Sequence, residues 1–207
     1  MSDAGRPGWG QVEDILSYWQ GTTIENCQRY QFVHDSTQLT HEFDLTWESC
    51  EPVLPEGTGL LITATCVRGH AVDAGTKVST LIVSHDLDPI GNASAGMIGD
   101  GQIHVHDAVR GMGLGTLIMC YAVAWLRSLK EVPFVPITLS AEHADVDNLE
   151  RRARFYRKFG IRFKGDDGAL PVHGDSEPMN THQLLIPDQI PAYGWSMSPD
   201  FSAPSRF

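Results

Sequence analysis

"VRGMGLGTLIM", residues 109–119, sets glycines at positions 111, 113 and 115 behind Arg110 and then turns apolar. From Leu114 onward the residues Leu114, Leu117, Ile118, Tyr121, Trp125 and Leu129 follow the i, i+3, i+4, i+7 spacing of a helix with one buried face. Just upstream, "QIHVH" (102–106) alternates polar and apolar side chains, as a half-buried strand does. The stretch therefore reads as strand, glycine loop and helix N-terminus. Backbone N–H groups left bare by glycine, together with the positive end of the helix dipole, make an anion site that suits phosphate best.

Two common phosphate loops fail on spacing. The dinucleotide fingerprint G-x-G-x-x-G needs its third glycine one position later, and only Glu131 lies near the required acidic position. A P-loop needs Gly-Lys-[Ser/Thr], and no lysine follows the glycines until Lys130. The pattern that does fit is Arg-x-x-Gly-x-Gly, met by Arg110, Gly113 and Gly115. It resembles the acyl-CoA pyrophosphate loop of the GNAT superfamily of N-acetyltransferases. That resemblance implies acetyl-CoA as co-substrate, held by Arg110, Gly111, Met112, Gly113, Leu114, Gly115 and Thr116.

A second stretch resembles the same superfamily. "DNLERRARFYRKFGIRF" (147–163) reads as a helix with Asp147 or Asn148 near its N-cap and Gly160 at its stop, followed by a short strand. The resemblance is to an asparagine, a helix ending in Tyr-x-Lys-x-Gly-Phe, and a strand. Tyr156, Lys158 and Gly160 match by position, and Ile161 replaces the phenylalanine. Asn148, the implied further cofactor contact, lies one residue further from Tyr156 than the pattern has it. The likeness covers roughly residues 55–187. It implies an α/β (α+β) GNAT fold, with a mixed, mostly antiparallel sheet of about seven strands flanked by helices and a splay between strands four and five.

Composition bounds the answer without deciding it. A chain of 207 residues can bury one substantial core, and 42% hydrophobic content with mean hydropathy −0.18 describes a soluble, cytoplasmic globular protein. The longest apolar run, Leu114–Leu126, is shorter than the ~20 residues of a membrane span, and "MSDAGRPGWG" lacks the regions of a signal peptide. Cys27, Cys50, Cys66 and Cys120 show no C-x-x-C spacing and read as free thiols. A net charge of −11 argues against nucleic acid as partner. Locally the sign reverses: Arg151, Arg152, Arg154, Arg157, Lys158, Arg162 and Lys164 crowd one helix and its end. They read either as a solvated face, with Glu150 and Arg154 paired at i, i+4, or as a contact for the 3′-phosphate of CoA.

The remaining elements are placed coarsely. Residues 10–20 and 24–33 read as helices, so residues 1–50 read as a helical extension of the same domain. Residues 59–67, 77–85, 101–106, 134–140, 160–165 and 181–186 read as strands of a core at 51–187, with the sheet starting near residue 40. Residues 188–207 form a tail that keeps Tyr193, Trp195, Phe201 and Phe207. Such a tail is too aromatic for a purely disordered segment and reads as a wrap around the domain or a contact to a partner, including a second copy of the chain.

Acyl transfer from a thioester to an amine needs a neutral nucleophile, a donor for the oxyanion and a proton for the departing thiolate. The resemblance implies that the strand at 101–106 turns the Val105 N–H to the thioester oxygen and that Tyr156 protonates the thiolate. On that strand Ile103 and Val105 face one way, and Gln102, His104 and His106 the other. His104 is the best-placed base, with a reference pKa near 6.5; Glu142 and His143 are reserves, and a water relay needs no single base. His104 and His106 are too few for a metal site, so no metal is expected. Two functions stay open: an N-acetyltransferase acting on a small-molecule or protein amine, and a GNAT-fold binding or assembly module with reduced chemistry.

Overall fold

His41, Phe43, Leu45 and Trp47 alternate with Glu42, Asp44, Thr46 and Glu48, and only the first set is buried. This period of two marks a strand with one face on the core. The computed structural model describes residues 19–20, 26–52, 57–85, 95–98, 103–139, 146–164, 174–205 and 207. Ten strands among them form one sheet. β1 (Trp19–Gln20) and β2 (Asn26–His34) both pair with β3 (Thr40–Pro52), which pairs with β4 (Thr58–Arg68), and β4 pairs with β5 (Lys77–His85). β6 (Gly96–Ile98) and β7 (His104–Val105) share β5 as partner, at its two ends. β8 (Pro133–Phe134) joins β6 in parallel, and β11 (Met179–Asn180) joins β8. β12 (Trp195–Ser198) closes the far edge on β2. β9 (Thr138–Leu139) and β10 (Gly174–Asp175) form a separate ribbon. The sheet is mixed and mostly antiparallel, with β6–β8 its parallel join.

Helix α1 (Leu114–Ser128) crosses the buried face of this sheet. Every residue from Thr116 to Leu126 is buried, as expected of a helix covered on all sides. Tyr121 anchors it: its hydroxyl shares a 2.8 Å hydrogen bond with the Tyr30 hydroxyl on β2, and its ring meets Phe201 edge-on. Helix α2 (Val146–Arg157) follows, and a chain reversal places Gly160 at φ 78°. No helix among the described residues is long and apolar enough to cross a membrane.

Several expectations change. Residues 24–33 are not helical where described: Asn26–His34 is a strand, held by eight register pairs to β3 that outweigh the local pattern. Of the helix read at 10–20, Trp19–Gln20 is strand β1 paired with β3, and residues 10–18 lie outside the described residues. The segment 134–140 is broken: Val135 N–H makes the parallel ladder bond to the Gly96 carbonyl at 2.8 Å, and Pro136, which offers no N–H, follows at once, so β8 ends at Phe134. Residues 161–164 make a single bridge, Phe163 to Ser176. Residues 181–186 open as a 3-10 turn (Thr181–Gln183) capped reciprocally by Asn180 and Gln183. The first 50 residues and the tail both give strands to the common sheet, which runs from Trp19 to Ser198 and is not confined to 40–186.

Candidate functional site

The glycine loop has the backbone its sequence implies. Gly113 is the N-cap of α1 with φ 109°, a left-handed conformation that glycine takes without strain. It supplies no side-chain cap, and the first turn of α1 holds no acidic residue. The side chains of Met112, Leu114 and Thr116 are buried. Among the described residues, none accepts a hydrogen bond from the N–H groups of Gly111 through Thr116. A helix pole left without a cap and without a neutralising carboxylate favours an anion.

Val105 faces the same region through its backbone. His106 N–H donates to the Val78 carbonyl at 2.8 Å, and Val105 sits opposite Ser79. Bonded and non-bonded pairs alternate along an antiparallel ladder, so the N–H and C=O of Val105 point away from β5. The carbonyl is taken by Arg110 Nε at 2.8 Å, and Arg110 Nη2 meets Asp107 at 2.6 Å. No described residue accepts from the Val105 N–H. Among the described residues, β6 pairs with β8 at Gly96 and Phe134, β7 pairs with β5 alone, and β9 pairs with β10.

Gly115 brings three elements together. A Cβ there would stand 3.3 Å from Val105 Cγ2 and 3.9 Å from both Ile103 Cγ2 and Phe155 Cε2. The helix start, β7 and the end of α2 therefore meet at this glycine. Tyr156, next to Phe155, is 6% exposed, with its ring edge-to-face against Phe155 and Phe163. Asn148 lies in α2, and its side chain falls outside the described residues, as do Glu142 and His143. His104 is half-buried on β7; its carbonyl accepts from Ser79 Oγ at 2.6 Å. His106 has a local task, its Nδ1 accepting from Ala108 N–H to start the turn Asp107–Val109. Among the described residues no three His, Cys, Asp or Glu side chains gather as a metal-sized group.

No local pattern announces what lies against Gly113. A Cβ on Gly113 would stand 2.5 Å from the Ile190 carbonyl oxygen, 2.8 Å from Pro191 Cα and 3.1 Å from the Ala192 nitrogen. Ala192 N–H donates to the Met112 carbonyl at 3.1 Å. The tail thus runs as a strap along the loop before entering the sheet as β12. The aromatic residues after Pro187 were the one available hint, and they show that the segment is held without showing where.

Charge and burial sort the remaining groups. Arg151, Arg154, Arg157, Lys158, Arg162 and Lys164 are exposed, and Arg154 approaches Glu150 at 3.7 Å, as the i, i+4 spacing predicts. Burial pushes the Cys120 thiol up to about 12, far from a reactive thiolate. Cys66 and Cys120 are free thiols. Comparison of the chain with protein-family models, with curated proteins and with solved structures finds no match.

Proposed function

We propose that the chain is an acyl-CoA-dependent N-acetyltransferase of the GNAT kind, moving an acetyl group from acetyl-CoA directly to an amine. One observation carries the reading: the Val105 N–H is turned away from β5 with no acceptor among the described residues, five residues before Arg110 and an uncapped glycine loop at a helix start. The loop N–H groups of residues 111–116 would take the pyrophosphate. A splay between the fourth and fifth strands, as the resemblance implies, would hold the pantetheine arm, which needs backbone partners along its length.

In this reading the amine nitrogen attacks the thioester carbonyl carbon, and the charge that develops on oxygen falls on the Val105 N–H. A donor fixed in place before reaction costs no reorganisation when that charge appears. The C–S bond then breaks, and Tyr156 gives its proton to the departing sulfur. The attacking amine loses its proton to His104, to Glu142 or His143, or to water. The acceptor is an amine of unassigned structure, and no metal is required by these steps.

A binding or assembly module is the competing reading, supported by the strap over Gly113 and by the burial of Tyr156. Calorimetric titration with CoA, followed by an acetylation screen of acetyl-CoA against a panel of amines, separates the two. Binding with turnover supports the enzyme, binding without turnover on any amine supports the module, and no binding sinks both as CoA proteins.

A further inference from the structure

Among the described residues Tyr193 is the most exposed large hydrophobic side chain, at 105% against 53% for Leu185. Large rings left wholly in water are uncommon on a surface that has room to bury them. Its backbone is nevertheless fixed on both sides. Ala192 donates to the Met112 carbonyl at 3.1 Å, and the Trp195 N–H closes a turn onto the Ala192 carbonyl at 3.0 Å. Gly194 stands at φ 80°, and its carbonyl accepts from Asp35 N–H at 2.8 Å. One peptide step of about 3.8 Å separates Tyr193 Cα from a residue bonded to the glycine loop. The fold therefore fixes the backbone that carries an exposed aromatic side chain, one residue from a bond to the loop.

We propose that Tyr193 is the residue that stacks on the adenine base of the CoA ligand, a role that rests on the acyl-CoA reading above. The loop N–H groups fix the pyrophosphate, and the adenosine end must leave that point toward solvent, because Met112, Leu114 and Thr116 fill the inner side. A purine offers a flat face, and an aromatic ring beside it binds by stacking without needing a hydrogen-bond code. The strap then has a purpose beyond closing the sheet: it carries the ring to the loop.

The test measures CoA affinity of the full chain by calorimetry for the parent, Tyr193→Phe, Tyr193→Leu and Tyr193→Ala, with melting temperature alongside. The expected result is that Phe keeps parental affinity, while Leu and Ala each weaken it by about tenfold, within the range of one base–aromatic stack. Melting temperature stays unchanged in all three, since the side chain touches nothing it could unpack. Parental affinity in the Leu or Ala variant overturns the stacking role while leaving the acyl-CoA reading intact. A fall in melting temperature that follows the loss of affinity assigns Tyr193 to holding the strap and overturns it equally. Absence of CoA binding by the parent chain removes both.

Discussion

Arg110 grips the strand that precedes it: its Nε donates to the Val105 carbonyl at 2.8 Å while its Nη2 meets Asp107 at 2.6 Å. The arginine of the loop therefore fixes the peptide plane just after the Val105 N–H. A planar fork can serve both partners at once, and an ammonium cannot reproduce it. This geometry gives the loop arginine a positioning role in addition to its charge.

Arg110→Ala and Arg110→Lys should accordingly behave alike. Each should weaken CoA binding by roughly tenfold, equivalent to about 1.4 kcal/mol. The side chain is 45% exposed, so the cost to stability should be near 1 kcal/mol, or a melting shift of about 2–4 °C. Calorimetry on both variants checks this. Full affinity in the lysine variant would show that only the charge matters.

Gly113→Ala should damage two things together. The left-handed backbone makes a Cβ cost about 1–2 kcal/mol, and that Cβ would collide with the Ile190 carbonyl and Pro191. The strap must shift, so amides of Trp195–Ser198 should exchange faster with solvent. Gly111→Ala is the control: it carries similar strain at φ 86° but has nothing within 4 Å. Equal exchange rates for β12 in the two variants would detach the strap from the loop.

The hydroxyls of Tyr30 and Tyr121 depend on each other, 2.8 Å apart in the core. Burial holds the Tyr121 phenol far above its usual range, with the Tyr30 hydrogen bond adding to the effect. Either single change to Phe leaves one buried hydroxyl without its partner and should cost about 1–3 kcal/mol. The double change removes both polar groups and should cost less than the sum. Urea denaturation of the full cycle measures the coupling.

His41 should make stability fall in mild acid. It is 5% exposed, its Nδ1 has no partner, and burial first, then the charge of His70, hold its pKa below the usual value. The folded chain then binds fewer protons than the unfolded one. Stability is full above about pH 6.5 and is lost as pH falls below it, with a slope of at most ~1.4 kcal/mol per pH unit. His41→Phe, which keeps a ring beside Phe43 and Trp195, should flatten that slope between about pH 7 and pH 5.5. An unchanged slope in urea denaturation at these pH values would assign the acid sensitivity to other groups.

What was legible in the chain followed from strong local signals. The helix at 114–128 announced itself by its apolar period and glycine start, and the strands at 58–68 and 77–85 by alternation between glycine turns. The alternation from His41 to Trp47 was as clear and was available to be read. Residues 26–34 were harder, because Cys27 and Tyr30 fall at helical spacing while Tyr30 and Phe32 fall at strand spacing. Only the pairing with β3 decides between them, and cross-strand pairing is not encoded in one segment. The strap is a similar case. Its contacts at Gly113 link residues almost eighty positions apart, and no local pattern carries that information.

Tyr156 presents the sharpest test of the enzymatic reading. Its ring is buried between Phe155 and Phe163, which a purely packing tyrosine would also show. Phe155 nonetheless reaches the same glycine that contacts Val105, so the end of α2 borders β7. Tyr156→Phe keeps the ring and its edge-to-face contacts and removes only the hydroxyl. With Tyr156 as the acid for the thiolate, turnover on the best amine should fall on the order of 10²-fold, the usual contribution of one acid–base group. CoA affinity and melting temperature should stay near the parental values, because neither the loop nor the core loses a contact area. Steady-state kinetics, calorimetry and thermal melting on one variant give all three readouts. Parental turnover would return Tyr156 to the core, and a fall in melting temperature without a change in rate would do the same.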